Sequence, residues 1–446
     1  MLTNPLGPFI EVLRIPGALA FSSAGFIARL PLATVGLGLI LFVSNDTGSY
    51  AYAGFLQALF AITSAVAALF TSRLADRIGQ RPLLVILPFI YSSALVVFVA
   101  ALQLSWSRWI QSMLIVIAGA AFPSFGSFVR ARWAFVTDRH TQKLRSAFAL
   151  ESIIDELVFA IGPLLATTLA FSLGFPAPLI VGAALTLVGA LLLASLKTTS
   201  PPIHVTPPST DIQRGALRQA GLFSLVIATT GVGVLFGSSD VAVVAFAANS
   251  GTPEFAGLIL SLWAVGSMLG GILFGSRQLN VSLPRQLRLT SLFMLIVAFP
   301  IPFLNSIAFL ALAAFLSGFA IAPTLISAFS LAERLVPPRL LTEGLTWANS
   351  GLAIGFAGGA SVGGYLIDTV GTSWAFALGV SGAAFTVTVS LASQKVWERN
   401  SAERPLPHPA IVLNFDPIPG PTAGGFVDDP HPLTELGPGP GPGPQS

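Results

Sequence analysis

The sequence predicts an all-α membrane protein: twelve transmembrane helices in two six-helix halves, followed by a disordered C-terminal tail. Three observations predict it. Of 446 residues, 54% are hydrophobic and 9% charged, and the mean hydropathy is +0.81; a soluble domain needs roughly 25% charged residues to wet its surface. Apolar runs of the length that crosses a bilayer core, about 20 residues for about 30 Å, recur along the whole chain. The basic residues between those runs fall almost entirely in alternate loops.

Composition also narrows the chemistry. The chain has no cysteine, which removes disulfide scaffolds, thiolate zinc sites, iron–sulfur clusters and cysteine nucleophiles together. A pI of about 9.6 comes from a net charge of only +3, too thinly spread to make the basic stripe of a nucleic-acid binder. Arginine far outnumbers lysine, present only as Lys143, Lys197 and Lys395, a usage that fits a GC-rich bacterial genome.

Residues 1–17 form a cytoplasmic N-terminus with too few apolar residues before Glu11 and Arg14 for a cleaved signal peptide, so the first span is expected to stay in the membrane. The N-terminal half, 18–196, contains spans near 18–43, 50–71, 82–103, 109–132, 147–171 and 176–196. A linker, 197–219, follows, with Pro201, Pro202, Pro207 and Pro208 among Ser and Thr. The C-terminal half, 220–394, contains spans near 220–246, 254–275, 287–304, 307–332, 344–369 and 373–394. Two six-helix halves joined by a polar linker fit transporters built from repeats related by an axis along the membrane normal. The tail, 395–446, is polar and ends in repeated Gly-Pro; it cannot bury enough apolar surface to fold. A proline-rich docking role is the alternative for it.

Lysine and arginine set orientation. With a cytoplasmic N-terminus, the inside loops carry Arg73, Arg77 and Arg81, then Arg132, Arg139, Lys143 and Arg145, and later Arg214, Arg218, Arg277, Arg285, Arg288, Arg334 and Arg339. The outside loops carry Arg108 alone. Both ends are therefore expected in the cytoplasm, with the body crossing the cell (inner) membrane.

The loop after the second span reads Ser72-Arg-Leu-Ala-Asp-Arg-Ile-Gly-Gln-Arg-Pro-Leu-Leu84. Gly79 can take a positive φ at the turn, Pro82 suits a helix start, and Asp76 suits a neighbouring helix N-terminus. Arg73, Arg77 and Arg81 can pair with carboxylates or face anionic headgroups. The plain alternative is a positive-inside turn. The segment resembles the signature loop of the major facilitator superfamily, G-x-L-A-D-R-x-G-R-[KR], through Leu74, Ala75, Asp76, Arg77, Gly79 and Arg81; Ser72 and Gln80 depart from it. A second copy, Gly271-Ile-Leu-Phe-Gly-Ser-Arg277, lacks the aspartate. The resemblance covers about residues 15–394. It implies a conformational latch of Asp76, Arg77, Gly79 and Arg81 against the start of span 11, where Thr342 and Glu343 stand.

Span 5 contains Phe159-Ala-Ile-Gly162-Pro163, similar to the core of the family's antiporter motif G-x-x-x-G-P-x-x-G-G; Val158, Ala166 and Thr167 depart from it. Span 4 has Ile115 where the family's usual arginine would stand.

Charges inside hydrocarbon cost about 2.5–3.5 kcal/mol on insertion scales and default to functional hypotheses. Arg29 lies about 16 Å deep in span 1 and Asp155 and Glu156 about 13 Å deep in span 5, at 1.5 Å per residue. Glu151 shares a face with Asp155 by i,i+4 spacing, and Arg130 ends span 4. Expected pairs are Arg29 with Glu156 or Asp155, and Arg130 or Arg132 with Glu151. Burial favours the protonated form of a carboxylate and a nearby arginine the ionised form, so these groups are candidates for proton coupling; a static ion network is the alternative. Asp240 in span 7 stands without a basic neighbour on its half, so it either holds its proton or meets substrate or water. Arg29 could instead meet an anionic substrate group.

Small residues at four-residue spacing, Gly351 to Gly363 in span 11 and Gly266, Gly270, Gly271 and Gly275 in span 8, allow close helix approach. The resemblance pairs span 2 with 11 and span 5 with 8 across the halves, which suggests smooth rocking faces; static packing predicts the same stripes. Gly231-Val-Gly-Val-Leu-Phe-Gly237 looks like a dinucleotide fingerprint but lacks the preceding strand. None of the four histidines falls in a span, so no metal site, cofactor or catalytic residue is expected, and the chain is read as no enzyme. By resemblance, spans 1, 4, 7 and 10 line the cavity, with Phe122, Phe125, Phe236, Phe315 and Phe319 as an apolar lining and little polar content.

The expected function is alternating-access transport, by proton-coupled efflux of a small, moderately hydrophobic molecule. The partners are that substrate, protons and the lipid bilayer, with no nucleic acid, and the chain is expected to be a monomer. Uptake or facilitated diffusion of a metabolite such as a sugar, and a non-transporting receptor or scaffold, remain the alternatives.

Overall fold

The computed structural model describes residues 7–138, 141–202, 215–276, 281–337 and 340–402. The centre of the linker, the tail beyond 402 and all four histidines lie outside the described residues.

In a bilayer each backbone N–H and C=O must be satisfied within the protein, which leaves helices as the solution for apolar runs of this length. The described residues contain helices and no strand. A short helix, α1 (Gly7–Leu13), precedes the first span, which is built from α2 (Ala18–Arg29) and α3 (Pro31–Thr47). Then come α4 (Tyr50–Ile78), α5 (Gln80–Gln103), the pair α6 (Arg108–Ala121) and α7 (Phe125–Val136), α8 (Thr141–Leu173) and α9 (Ala177–Ser195). The second half holds α10 (Leu222–Asn249), α11 (Ala256–Gly275), α12 (Leu283–Ala298), α13 (Ile307–Leu335), α14 (Leu341–Thr369) and α15 (Thr372–Ala402). Among the described residues, twelve segments of 19 to 32 residues are long and apolar enough to cross a membrane, in register with the twelve expected runs.

Two spans are interrupted, each at a proline. Pro31 has no N–H to give, so the helix is broken at Leu30, yet Leu30 stays right-handed and Thr34 N still donates to Leu30 O at 3.2 Å. The break at Phe122-Pro123-Ser124 is larger. Phe122 is extended (ψ 115°), as the residue before a proline prefers, and what reads as one continuous fourth span is two helices. The turn after α4 is made by Gly79 at φ 84°, a conformation with a steric cost for any other residue.

Within the first half, α2 and α3 pack on α9 and α8, and α4 and α5 pack on α6. Within the second, α10 packs on α14 and α15, and α11 and α12 on α13. The halves meet through α4 against α14 and α8 against α11. Both contacts lie toward the face away from the chain ends: Gly54, one turn into α4, abuts the backbone of Ala360 in the later part of α14, and Gly257, at the start of α11, abuts Pro163 and Thr167 in the later part of α8.

The stripes of α14 and α11 follow the static-packing alternative. Gly351, Gly355 and Gly359 of α14 abut Val226, Thr230 and Val234 of α10, and Gly266 and Gly270 of α11 abut Phe315 and Phe319 of α13. They bring helices together inside one half. Backbone-to-backbone approach has no slack to slide, so these stripes staple the half rather than lubricate the interface between halves. Gly231 and Gly233, of the false dinucleotide motif, are part of the same packing, against Gly382 and Leu352.

Candidate functional site

Two polar centres lie within the helices. The first is an ion network in the N-terminal half. Glu151 is fully buried and fully engaged: Oε1 accepts from Ser22 Oγ and from Trp133 Nε1, each at 2.8 Å, and Oε2 accepts from Arg29 Nη2. Arg29 also donates through Nη1 to Asp155 Oδ1 at 2.7 Å and through Nε to Gly25 O at 3.0 Å. The other oxygen of Asp155 accepts from Arg130 Nη2 at 2.6 Å. A buried guanidinium and carboxylate each lose hydration, and this geometry restores nearly every lost hydrogen bond.

The expected pair of Arg29 with Asp155 forms, and Glu151 is a second partner. The other expected pairings are corrected: Arg29 does not meet Glu156, Arg130 reaches Asp155 rather than Glu151, and Arg132 turns away from all of them. Helix phase is the reason. Glu151 and Asp155 are four apart on one face of α8, whereas Glu156 is rotated about 100° further round and leaves that face. Arg132 is 1% exposed and donates to Gln80 Oε1, Leu196 O and Thr199 Oγ1 at 2.9 to 3.0 Å. It ties α7 to the start of α5 and the end of α9.

The second centre is a cavity of about 460 Å³ between the halves, lined from α3, α4, α8, α10, α11, α13 and α14. Its charged lining is Glu156 and Asp240, among rings that include Phe60, Phe159, Trp263 and Phe356. Glu156 makes no hydrogen bond or ion pair with any described residue. Asp240 has a partner from the other half: Gln57 Nε2 of α4 donates to its Oδ2 at 3.2 Å. The sequence reading missed Gln57; a lone amide in the run Tyr50 to Thr71 was the available signal. Phe236 also lines this cavity, stacked near Trp263 at 5.3 Å between centroids. The other expected lining rings pack elsewhere. Phe122 and Phe125 are buried against each other in the first half, and Phe315 and Phe319 lie against α11. The described residues of the fourth span contribute no lining side chain, and α4, α8, α11 and α14 line the cavity beside α3, α10 and α13.

Gly162 and Pro163 hold α8 in place: a side chain at Gly162 would meet Ala33 of α3, and Pro163 lines the cavity. At the near face, Asp76, Arg77 and Arg81 are exposed and make no ion pair among the described residues. Glu343 accepts from Ala216 N at 3.0 Å, at the end of the linker. No described group of His, Asp or Glu could hold a metal ion.

A second set of bonds joins the halves at the far face. Asp368, at the end of α14, accepts from Ser49 Oγ at 2.8 Å, from Tyr50 N at 3.0 Å and from Ala51 N at 2.9 Å.

Solved structures share this fold. The chain is similar to the nucleoside transporter NupG (17% identity, 85% of this chain and 99% of that one, TM-score 0.64). It is also similar to an auto-inhibited POT family peptide transporter (14%, 90% and 99%, TM-score 0.65). A third is a bacterial homologue of the human lysosomal transporter Spinster, inward-facing and unoccupied (16%, 90% and 99%, TM-score 0.61). At such identities the likeness is one of fold. No curated protein sequence matches the chain significantly. The sequence pattern of the Major Facilitator Superfamily matches residues 21–244, half of the chain. With twelve membrane-crossing helices and a cavity between two six-helix halves, the chain belongs to the Major Facilitator Superfamily and is a multi-pass membrane transporter, not an enzyme.

Proposed function

We propose that the protein exports a small, moderately hydrophobic compound in exchange for protons, as a monomer of the bacterial inner membrane with both ends in the cytoplasm. The observation that carries this reading is the cavity: two carboxylates, Glu156 and Asp240, set among aromatic rings between the halves. A carboxylate without a basic partner in an apolar wall can carry a proton across when the cavity changes sides. The aromatic remainder suits an apolar solute better than a sugar, whose hydroxyls would each need a partner.

Basic loops mark the cytoplasmic face, so the halves are joined on the outer side of the cavity and substrate loads from the cytoplasm. The other conformation brings Arg77 or Arg81 to Glu343 as the inner latch, with Asp76 and Gly79 shaping the loop. The network of Arg29, Arg130, Glu151 and Asp155 holds α2, α7 and α8 as one rocking body.

The test is proton movement in reconstituted vesicles, followed with a pH-sensitive dye while hydrophobic cations, antibiotics and sugars are added. Substrate-evoked flux that is lost in Glu156→Gln or Asp240→Asn supports proton-coupled exchange. Solute equilibration without a proton signal sinks it in favour of facilitated diffusion.

A further inference from the structure

We propose that the cavity is a receptor for protonated amines carried on an aromatic body, with the ammonium seated at Gln57 and Asp240. This rests on reading the cavity as the substrate site and adds the charge class of what enters it.

The hydrogen-bonding inventory of the wall makes the case. Both titratable lining groups are carboxyl groups, and no lysine, arginine or histidine is among the described lining residues. Gln57 is 3% exposed and spends its amide nitrogen on Asp240. An ionised aspartate only accepts, so it draws the Nε2 side of the amide toward itself and leaves Oε1 over. That oxygen is buried with no partner, a state that natural interiors rarely tolerate without a reason. Asp240 and Gln57 together therefore offer surplus acceptors at one spot, contributed by opposite halves.

An ammonium brings three donors and a positive charge. It can bond the carboxylate and Gln57 Oε1 at once, and charge-assisted bonds of this kind are about twice as strong as neutral ones. A carboxylate ligand would set its charge beside two carboxyl groups with no basic side chain in the described lining to meet it, and an alcohol would forgo the charge. The body of the ligand has its own match. Trp263 and Phe236 lie 5.3 Å apart at an interplanar angle of 32°, a surface for a ring or for the cation itself. Trp263 Nε1 is a second buried polar atom without a partner, a donor that favours an ether or carbonyl oxygen on the ligand body. The cavity volume, about 460 Å³, suits a drug-sized molecule.

Calorimetry on the full-length protein in nanodiscs tests this with three probes of one ring system at neutral pH: naphthylmethylamine, naphthylmethanol and naphthoate. The amine is expected to bind at least about tenfold more tightly than the alcohol or the acid, the ratio a charge-assisted bond supplies. Asp240→Asn and Gln57→Leu should each weaken the amine about tenfold and weaken the alcohol less, which narrows the gap between the two. Equal binding of the three, preference for naphthoate, absence of binding by all, or an unchanged amine affinity in folded Asp240→Asn overturns the proposal. The wild-type series decides alone if a variant does not fold. Amine-selective binding with no proton flux in vesicles overturns proton exchange and keeps the amine site; flux evoked by naphthoate but not by the amine does the reverse.

Discussion

Asp368 caps a helix of the opposite half: its Oδ2 lies 2.8 Å from the hydroxyl of Ser49, and its two oxygens accept from the first backbone N–H groups of α4. Those N–H groups have no partner inside their own helix, and the helix dipole adds to the attraction. The donors belong to one half and the acceptor to the other, so the cap exists only while the far face is shut. Gly364, one turn before Asp368, lets Tyr50 come this close.

Removing the cap should therefore shift the conformational balance. The chain has no cysteine, so Ser64→Cys in the cavity wall is a clean reporter for an impermeant maleimide applied to the far face. Asp368→Ala is predicted to raise the labelling rate about fivefold, the change that follows from about 1 kcal/mol of lost capping. An unchanged rate would show that the cap does not gate.

Glu151 and Glu156 are five residues apart and should behave oppositely. Glu151 is 0% exposed with three partners, and Glu151→Gln leaves Arg29 short of a countercharge, at a cost of about 3 kcal/mol. Thermal unfolding in detergent should register a clear drop, and Asp155→Asn a smaller one, because Asp155 is a third exposed.

Glu156→Gln removes no bond that the structure contains. The melting temperature should stay within a degree or two of wild type while substrate-evoked proton flux disappears. A destabilised Glu156→Gln protein with intact flux would reassign this residue from coupling to packing.

Two glycines separate packing inside a half from packing between halves. Gly355 abuts the backbone of Thr230 within the C-terminal half, and Gly355→Val should destabilise by about 1–3 kcal/mol through overpacking. Gly54 abuts Ala360 across the halves. Gly54→Ala should instead speed labelling of the Ser64→Cys reporter from the far face with little loss of melting temperature.

Span number and limits were legible because each rests on a local property, twenty-odd apolar residues ended by charge, proline or glycine. The loop around Asp76 to Arg81 was legible for the same reason. The break at Pro123 was not: prolines 88, 163 and 323 sit inside unbroken helices, so a proline alone does not announce a gap. The pairings of Arg29 and Arg130 were half legible. The i,i+4 spacing put Glu151 with Asp155, but which arginine meets which oxygen depends on the rotation of α2 and α7 about their own axes.

By itself, the sequence determined that this protein spans a membrane twelve times, that its halves are six and six, and that the charges within its spans gather in the first half, with Asp240 apart in the second. Those follow from transfer free energies that each residue carries wherever it sits. Only the tertiary structure decided that Glu156 faces the cavity while its neighbour Asp155 does not, that Gln57 meets Asp240, and that Asp368 caps α4 from 317 to 319 residues away. Such contacts depend on how helices from different parts of the chain are turned toward each other, and that rotation is set by the packing of all of them together.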